Sequence, residues 1–147
     1  MMVSSTMTFP DLEAGLVEWA ADHPVLAEAD QRFRYRHVGD ELPSRYATDR
    51  RLPFLEIGVR GGAVEGGVTW LAEVEFYMFS TDRKQARDTL ADLFAKIGVY
   101  PRNFGGISVD AVQVTTYPRR SKNQEPDDET FCYSGEVTIS LRRQKGN

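Results

Sequence analysis

Residues 68–97 read VTWLAEVEFYMFSTDRKQARDTLADLFAKI, and this stretch decides the fold. Its first part, Val68 to Phe79, alternates with a period of two, which predicts the longest strand of the chain. A cluster of helix-capping residues, Ser80-Thr81-Asp82, comes next, and apolar residues then recur with a helical period up to Ile97. The stretch therefore predicts one long strand that leads directly into one helix.

Both faces of the predicted strand carry apolar side chains. One face holds Val68, Trp70, Ala72, Val74, Phe76 and Met78. The other face mixes two glutamates with three apolar residues, in the order Leu71, Glu73, Glu75, Tyr77 and Phe79. Such a strand is covered on two sides within its own domain, or it is covered by a neighbouring subunit.

The predicted helix runs from Thr81 to Ile97 and stops at Gly98. Its apolar stripe consists of Ala86, Leu90, Leu93, Phe94 and Ile97. We expect this stripe to pack on the sheet, because packing contributes more than intrinsic propensity to the stability of a helix of this length.

The region before this stretch begins with a further predicted helix. It starts at a Thr8 N-cap and runs to Asp22, and its apolar stripe consists of Leu12, Leu16, Val17 and Ala20. The residues before it, 1–8, are expected to be disordered. The spacing of the stripe indicates an amphipathic helix that packs on another element.

Two strands are predicted between this helix and the long strand. Arg32 to Val38 alternates basic and aromatic residues, which predicts a strand with one basic face. Leu52 to Arg60 predicts the second strand, and Gly39 to Arg51 predicts a long surface loop between the two. The glycine-rich segment Gly61 to Gly67 predicts the turn into the long strand.

Two more strands are predicted after the second helix, Ile107 to Tyr117 and Thr130 to Arg142. Between them, Pro118 to Glu129 is first basic and then acidic, and it is predicted to be a mobile loop. The order of elements predicts an α+β fold, with a mainly antiparallel sheet of four to five strands and two main helices packed on it. A length of 147 residues fits a single domain, residues 1–147.

Composition and charge exclude several classes of protein. Hydrophobic residues make up 41% and charged residues 27%, as in soluble globular proteins. No apolar run approaches the roughly 20 residues needed to cross a bilayer, and the first residues do not resemble a signal peptide, so we expect no membrane partner. A net charge of -4 argues against a chain that coats nucleic acid or an anionic membrane.

Few residues are available for catalysis or metal binding. A single cysteine, Cys132, and two histidines, His23 and His37, are too few for a structural zinc site of the usual kind. Cys132 is placed on the polar face of a predicted strand, which favours a small strand residue over a nucleophile. His23 is expected at the end of a helix, and neither histidine has a partner at a recognisable spacing. The glycines at 58–67 lack the lysine of a phosphate-binding loop. We expect no catalytic residue, no cofactor, no metal site and no enzymatic activity.

Two groups of charged residues are candidates for binding. Arg32, Arg34 and Arg36 form a candidate basic face that could contact phosphates, or an ordinary solvated face balanced by acids. The predicted charged loop contains six candidate residues for an interface between subunits: Arg119, Arg120, Lys122, Asp127, Asp128 and Glu129. Opposite charges at its two ends suit a head-to-tail contact, and the alternative is an exposed hairpin tip with no partner.

From Leu52 to Arg143 the chain resembles the tail terminator or tail completion proteins of long-tailed phages and related particles. The resemblance rests on the strand 69–79 that runs into the helix ending at Ile97. It continues through a valine-rich strand, a charged loop and the final strand, Gly135 to Leu141.

This resemblance implies a small subunit without enzymatic activity that assembles with itself into a hexameric ring. Such a ring caps the tail tube, contacts the tail tube protein and offers the surface that joins the head-tail connector or neck proteins. It implies a place in the virion after assembly in the host cytoplasm, where nucleic acid meets the protein only by passing through the lumen of the ring.

Two alternatives stay open. The chain could be another head-tail connector or neck protein, or it could be a small nucleic-acid-binding module that uses the arginine-rich strand.

Overall fold

The computed structural model describes residues 7–98, 103–142 and 144–145. The helices are α1 (Leu12–Ala21), α2 (Pro24–Phe33) and α3 (Arg83–Ile97), and a short 3-10 helix covers Lys122–Gln124. The long strands are β3 (Phe54–Glu65), β4 (Thr69–Ser80), β7 (Ala111–Arg120) and β8 (Phe131–Arg142). The two-residue strands of the described segments are β1 (Met7–Thr8), β2 (Val38–Gly39), β5 (Asn103–Phe104), β6 (Ile107–Ser108) and β9 (Gln144–Lys145).

The main sheet has five strands in the order β2-β3-β4-β8-β7. β2 lies parallel to β3, and each of the other neighbouring pairs is antiparallel. This confirms the predicted α+β fold with a mainly antiparallel sheet. The described residues contain three helices instead of the predicted two, because residues 24–33 also form a helix.

One face of the sheet is covered by α1 and α3, and the core lies between them and the strands. α1 contacts β3, while α3 contacts β4, β7 and β8. Phe76, at the centre of β4, is fully buried, and its ring meets the ring of Phe94 edge to face with centroids 5.3 Å apart. The five predicted stripe residues of α3 are all buried, so the predicted packing of this helix on the sheet is confirmed.

The opposite face of β4 is covered over only part of its length. Phe79 is buried, whereas Leu71 and Tyr77 are half-buried and Glu73 is exposed. The apolar residues on this side are therefore too few and too dispersed to form a second core. Most of this face of the sheet is left open by the described part of the chain.

α1 starts later than predicted. Its N-cap is Asp11 and not Thr8, because the Asp11 carboxylate accepts a hydrogen bond from the Ala14 N–H at 3.1 Å. Thr8 instead lies in β1, where Met7 and Thr8 pair with β9 in an antiparallel arrangement. The structure thus places a short strand in residues 7–8, which were predicted to be disordered, and residues 1–6 lie outside the described residues.

The predicted strand Arg32 to Val38 is wrong over most of its length. Its first two residues belong to α2, and Arg34 ends that helix in the left-handed conformation with φ 59°. Only Val38 and Gly39 pair with β3. The helix forms because His23 caps its first turn and Pro24 stands at its start, where a missing N–H costs no hydrogen bond.

The glycine-rich segment is a longer hairpin than predicted. β3 continues to Glu65, so the turn is confined to residues 66–68. The strand register shifts just after Arg60, which marks a β-bulge. Gly62 has φ 99°, and a Cβ there would overlap the carbonyl oxygen of Leu71, so this position requires glycine.

Residues 118–129 hold more regular structure than the predicted loop. Residues 118–120 are the last part of β7, and Lys122–Gln124 is the short 3-10 helix. Pro118 is compatible with a strand here because β7 lies at the edge of the sheet, where a missing N–H does not break a ladder. The mobility of this segment stays a prediction.

Candidate functional site

Cys132 lies buried in β8, and not on an exposed polar face as the alternation predicted. Burial and the negative charges of Glu125 and Glu56 raise the pKa of its thiol to about 12. The thiol is therefore protonated at neutral pH, whereas nucleophilic cysteines react as thiolates. This favours the interpretation of Cys132 as a small strand residue.

His23 has two partners that its sequence neighbourhood does not reveal. Its Nδ1 accepts a hydrogen bond from the Val25 N–H at 3.2 Å, and its Nε2 lies 2.7 Å from the Asp92 carboxylate of α3. Because Nδ1 accepts, the ring carries its proton on Nε2 and donates it to Asp92. Burial opposes the charge of Asp92, but the bonds from His23 and Lys96 outweigh it and lower the Asp92 pKa. His23 thus joins α2 to α3.

We expect His23→Ala to lower the free energy of unfolding by about 1–2 kcal/mol, because the cap of α2 and the bond between the helices are both lost. His23→Asn supplies a new capping oxygen, so it should lose less. Urea denaturation followed by circular dichroism at pH 7.5 measures both variants. Equal losses in the two variants would contradict the capping role.

His37 is fully buried, and its hydrogen bonds connect the residue before β2 to the start of β3. Its backbone N–H donates to the Asp30 carboxylate at 2.6 Å, and its Nδ1 lies 2.6 Å from the carbonyl oxygen of Pro53. Its own carbonyl oxygen accepts the Leu55 N–H at 2.9 Å. These contacts assign His37 a structural role at the start of the sheet.

No group of three or more possible metal ligands occurs in residues 7–98, 103–142 or 144–145. In the acidic run near residue 128, the Asp127 carboxylate accepts hydrogen bonds from the Tyr46 hydroxyl and from the Glu129 N–H. The bond from Tyr46 connects the segment 40–53 to the segment 121–130, and the bond from Glu129 lies within the second segment. Asp127, one of the six candidate interface residues, is therefore already hydrogen-bonded within its own subunit.

The candidate basic face does not lie on a strand. Arg32 is in the last turn of α2, Arg34 follows the helix, and Arg36 precedes β2. All three side chains are exposed. Arg36 borders an open cavity of about 540 Å³ whose other charged residues are all acidic, namely Asp11, Glu13, Glu18 and Asp40. This favours a solvated face balanced by acids.

The six candidate interface residues fall into two groups. Arg120 donates two hydrogen bonds to Glu125, at 3.0 and 3.1 Å, and lies over the ring of Phe131. Arg120 and Asp127 are thus engaged within the subunit. The other four are exposed and have no ion pair within the described part of the chain: Arg119, Lys122, Asp128 and Glu129.

Charge reversal at Arg119 and at Arg120 should therefore have different effects on the melting temperature. We expect Arg120→Glu to lower the melting temperature, because it places a carboxylate next to Glu125, whose pKa is lowered chiefly by its hydrogen bonds from Arg120. Arg119→Glu should leave the melting temperature unchanged, since that side chain is exposed. Thermal unfolding followed by circular dichroism checks both variants. An equal decrease would show that the Arg120 contacts do not stabilise the fold.

The sheet face turned away from α1 and α3 is acidic at its centre. Glu75 of β4 stands directly opposite Glu136 of β8, and Glu73 is the next β4 residue on this face. Arg60 lies 2.9 Å from the Glu75 carboxylate, and Arg60, the three glutamates and neighbouring residues line a cavity of about 210 Å³. Burial, together with its hydrogen bond to Glu75, raises the pKa of Tyr77 to about 12. Like charges opposite each other weaken a strand pair, and Arg60 offsets part of that repulsion.

Glu56 of β3 lies on the same face of the sheet as Glu75, next to β2. Its carboxylate accepts a hydrogen bond from the Leu42 N–H at 2.8 Å. Burial raises the pKa of Glu56, and the negative charges of Glu41, Asp40 and Glu75 raise it further. The protein therefore holds a carboxylate at this end of the sheet at a cost in stability.

We expect Glu56→Gln to raise the melting temperature at pH 7. Because the pKa of Glu56 is raised by folding, the folded state binds this proton more tightly, and stability falls as pH rises above the unfolded value of 4.5. The glutamine keeps an oxygen for the Leu42 N–H and removes the charge. At pH 3 the two proteins should melt together. A variant no more stable than the wild type at pH 7 would contradict this prediction.

The β3 edge of the sheet is partly occupied by side chains. The Val59 N–H donates to the Glu13 carboxylate at 3.3 Å, and the Gly61 carbonyl oxygen accepts the indole N–H of Trp70 at 2.7 Å. Beyond this point, residues 62–65 are exposed, and within the described residues their only strand partner is β4.

The β7 edge is irregular in its second half. The register with β8 shifts between Val114 and Thr116 and again between Thr116 and Arg119, and Pro118 supplies no N–H. Residues 111–114 are regular, and among the described residues β7 pairs only with β8. Tyr117 is 76% exposed, and the hairpin residues Val64 and Val68 are about half exposed. Large exposed apolar side chains thus occur at both edges of the sheet.

No family model matches this chain, and no curated protein matches it significantly. The described helices include none that is long and apolar enough to cross a membrane.

Proposed function

We propose that this protein is a structural subunit of a phage tail, a tail terminator that forms a ring, caps the tail tube and provides the surface that joins the head. The observation that supports it most is the sheet with two different edges that are open to a neighbour: β3, which β2 covers only at residues 55–56, and β7, which among the described strands pairs only with β8. Contact between two different surfaces is head to tail, and it closes into a ring when the rotation between neighbours divides a full turn.

The order of the elements also supports this function. The resemblance to tail terminators rests on a long strand, a helix, a valine-rich strand and a final strand, and β4, α3, β7 and β8 follow one another in that order. The protonated Cys132 thiol and the engaged histidines, His23 and His37, are consistent with a structural role.

Mass photometry and sedimentation velocity of the purified chain test the ring. Six copies of a 16.6 kDa chain give a particle of about 100 kDa, and electron microscopy should show a central hole. A protein that stays monomeric at high concentration and across salt concentrations would contradict the proposal.

The tail function needs its own experiment. Purified tail tubes mixed with the protein should acquire a cap at one end, and the capped tubes should stop growing when tube protein is added. A ring that leaves the tube end free but binds neck proteins would instead identify a head-tail connector.

A nucleic-acid-binding module remains the second candidate because Arg32, Arg34 and Arg36 are all exposed and lie near Tyr35, which is 43% exposed. Its test is affinity for DNA and RNA as a function of salt. Absence of binding at low salt would eliminate this candidate.

A further inference from the structure

We infer that neighbouring copies of this chain join by antiparallel strand addition between residues 62–65 of β3 in one copy and residues 111–114 of β7 in the next, with Ala63 opposite Ala111 and Gly62 opposite Val112. This inference rests on the proposed ring and names the contact that would hold it together. Strand addition satisfies backbone groups that an isolated sheet edge leaves unpaired.

Each edge of the sheet is blocked over one part and open over another. On β3, the Glu13 and Trp70 side chains occupy backbone groups of residues 59 and 61, and 62–65 follow without such a contact among the described residues. On β7, the register shifts and Pro118 disturb the second half, and 111–114 precede them. Bulges, prolines and covering side chains are the usual means by which a sheet edge avoids pairing with another strand. The open parts lack these features, so they are the parts of each edge that can pair.

The two open parts overlap in height on opposite sides of the sheet, where residues 62–63 of β3 are level with residues 111–112 of β7. Ala63 is opposite Leu71, Leu71 is opposite Ser140, and Ser140 is opposite Ala111. These four residues form one row across β3, β4, β8 and β7. A second copy placed beside the first can therefore continue this row without a large displacement along the strands.

The strand directions agree with this contact. β3 is antiparallel to β4, β4 to β8, and β8 to β7, so β3 and β7 run in opposite directions. When the β3 edge of one copy meets the β7 edge of another copy in the same orientation, the new pair is antiparallel. The contact is head to tail and leaves one free edge at each end until a ring closes.

The side chains of the two segments would not prevent pairing. Residues 111–114 carry no charge, and residues 62–65 carry a single charge, on Glu65. Val112 and Val114 are only partly buried against the core, and Val64 is 49% exposed. A neighbouring strand would remove part of this apolar surface from water, which favours association.

Cross-linking tests the contact directly. The variant Ala63→Cys with Ala111→Cys places one exposed thiol on each edge, and the native Cys132 is buried. Under mild oxidation we expect disulfide-linked multimers up to six copies on a non-reducing gel, which a reductant returns to monomers. The matched control is Ala63→Cys with Arg119→Cys, whose second thiol lies in the irregular part of β7. Equal cross-linking in both variants, or none in the first, would overturn the inference.

Charge variants give an independent readout. Ala63→Lys with Ala111→Lys places like charges on the two edges, so we expect at least a tenfold weaker assembly than for Ala63→Lys with Ala111→Glu. Melting curves of the two variants check that both monomers fold. Equal assembly of the two variants would also overturn the edge contact, even if the wild-type protein forms a ring.

The two proposals can fail separately. A wild-type ring that tolerates the Lys-Lys variant and gives no edge-specific disulfide keeps the ring and removes this contact. If the wild-type protein is monomeric, the proposed ring is wrong. Edge-specific disulfides would in that case still support the strand contact. If these disulfides are also absent, the strand contact is wrong as well.

Discussion

Phe76→Ala is expected to lower the free energy of unfolding by about 3–5 kcal/mol. The ring is fully buried at the centre of β4 and meets Phe94 of α3 edge to face. Truncation removes its transfer free energy and leaves a cavity under α3, and the contact between the two rings is also lost. Since small domains are stable by about 5–15 kcal/mol, the variant would retain only part of its stability.

Urea denaturation followed by circular dichroism and by tryptophan fluorescence measures this loss. Phe76→Leu is the control, since it keeps most of the side-chain volume and should lose much less. A loss below about 1 kcal/mol for Phe76→Ala would contradict the packing of α3 on the centre of the sheet.

Leu93→Ala is expected to cost about 2–5 kcal/mol for the same physical reason. Leu93 lies on the buried side of α3 and is 3% exposed. Lys84→Ala, on the exposed side of the same helix, keeps the helix propensity and should change the stability by less than about 0.5 kcal/mol.

The comparison of these two variants distinguishes the effect of burial on stability from the effect of helix propensity. If both lose the same amount, the apolar stripe of α3 does not face the sheet. The circular dichroism of both proteins before denaturation should be unchanged, which shows that the helix is retained.

The elements around Phe76 and Leu93 could be predicted because several independent signals agree there. The strand 69–80 has an apolar residue at every second position from Trp70 to Met78. α3 has an apolar stripe as well as a capping aspartate, Asp82, whose carboxylate accepts from the Lys84 and Gln85 N–H groups. Agreement between local signals and packing is typical of elements that form as the pattern indicates.

α2 was not predicted because a local alternation competes with weaker helical signals. Phe33 and Tyr35 alternate with arginines, as they would in a strand, but the pattern is short. Leu26 and Ala29 are buried at helical spacing, and Pro24 stands at a position that favours a helix start as much as a helix end. The buried apolar residues of α2 decide between helix and strand. Their burial stabilises the helix by more than pairing would stabilise a half-exposed strand in the same place.

The residues of the candidate site depend on contacts between distant segments. His23 meets Asp92, 69 residues later, and Tyr46 meets Asp127, 81 residues later, so neither pair leaves a local pattern. The open edges are likewise a property of the strand order, and alternation does not reveal which strands will lie outermost. Arg120 was grouped with Arg119 by sequence, but only the structure places it against Glu125.

The central position of β8 has a consequence for the order in which the chain can fold during synthesis. β8 lies between β4 and β7, and Thr69 of β4 pairs with Arg142, 73 residues later in the sequence. Until β8 has left the ribosome, the hairpin of β3 and β4 exposes an unpaired strand, and β7 has no partner in the sheet. Contacts this distant in sequence form slowly, and unpaired strands are prone to aggregation. Chaperone demand should therefore be highest just before β8 emerges.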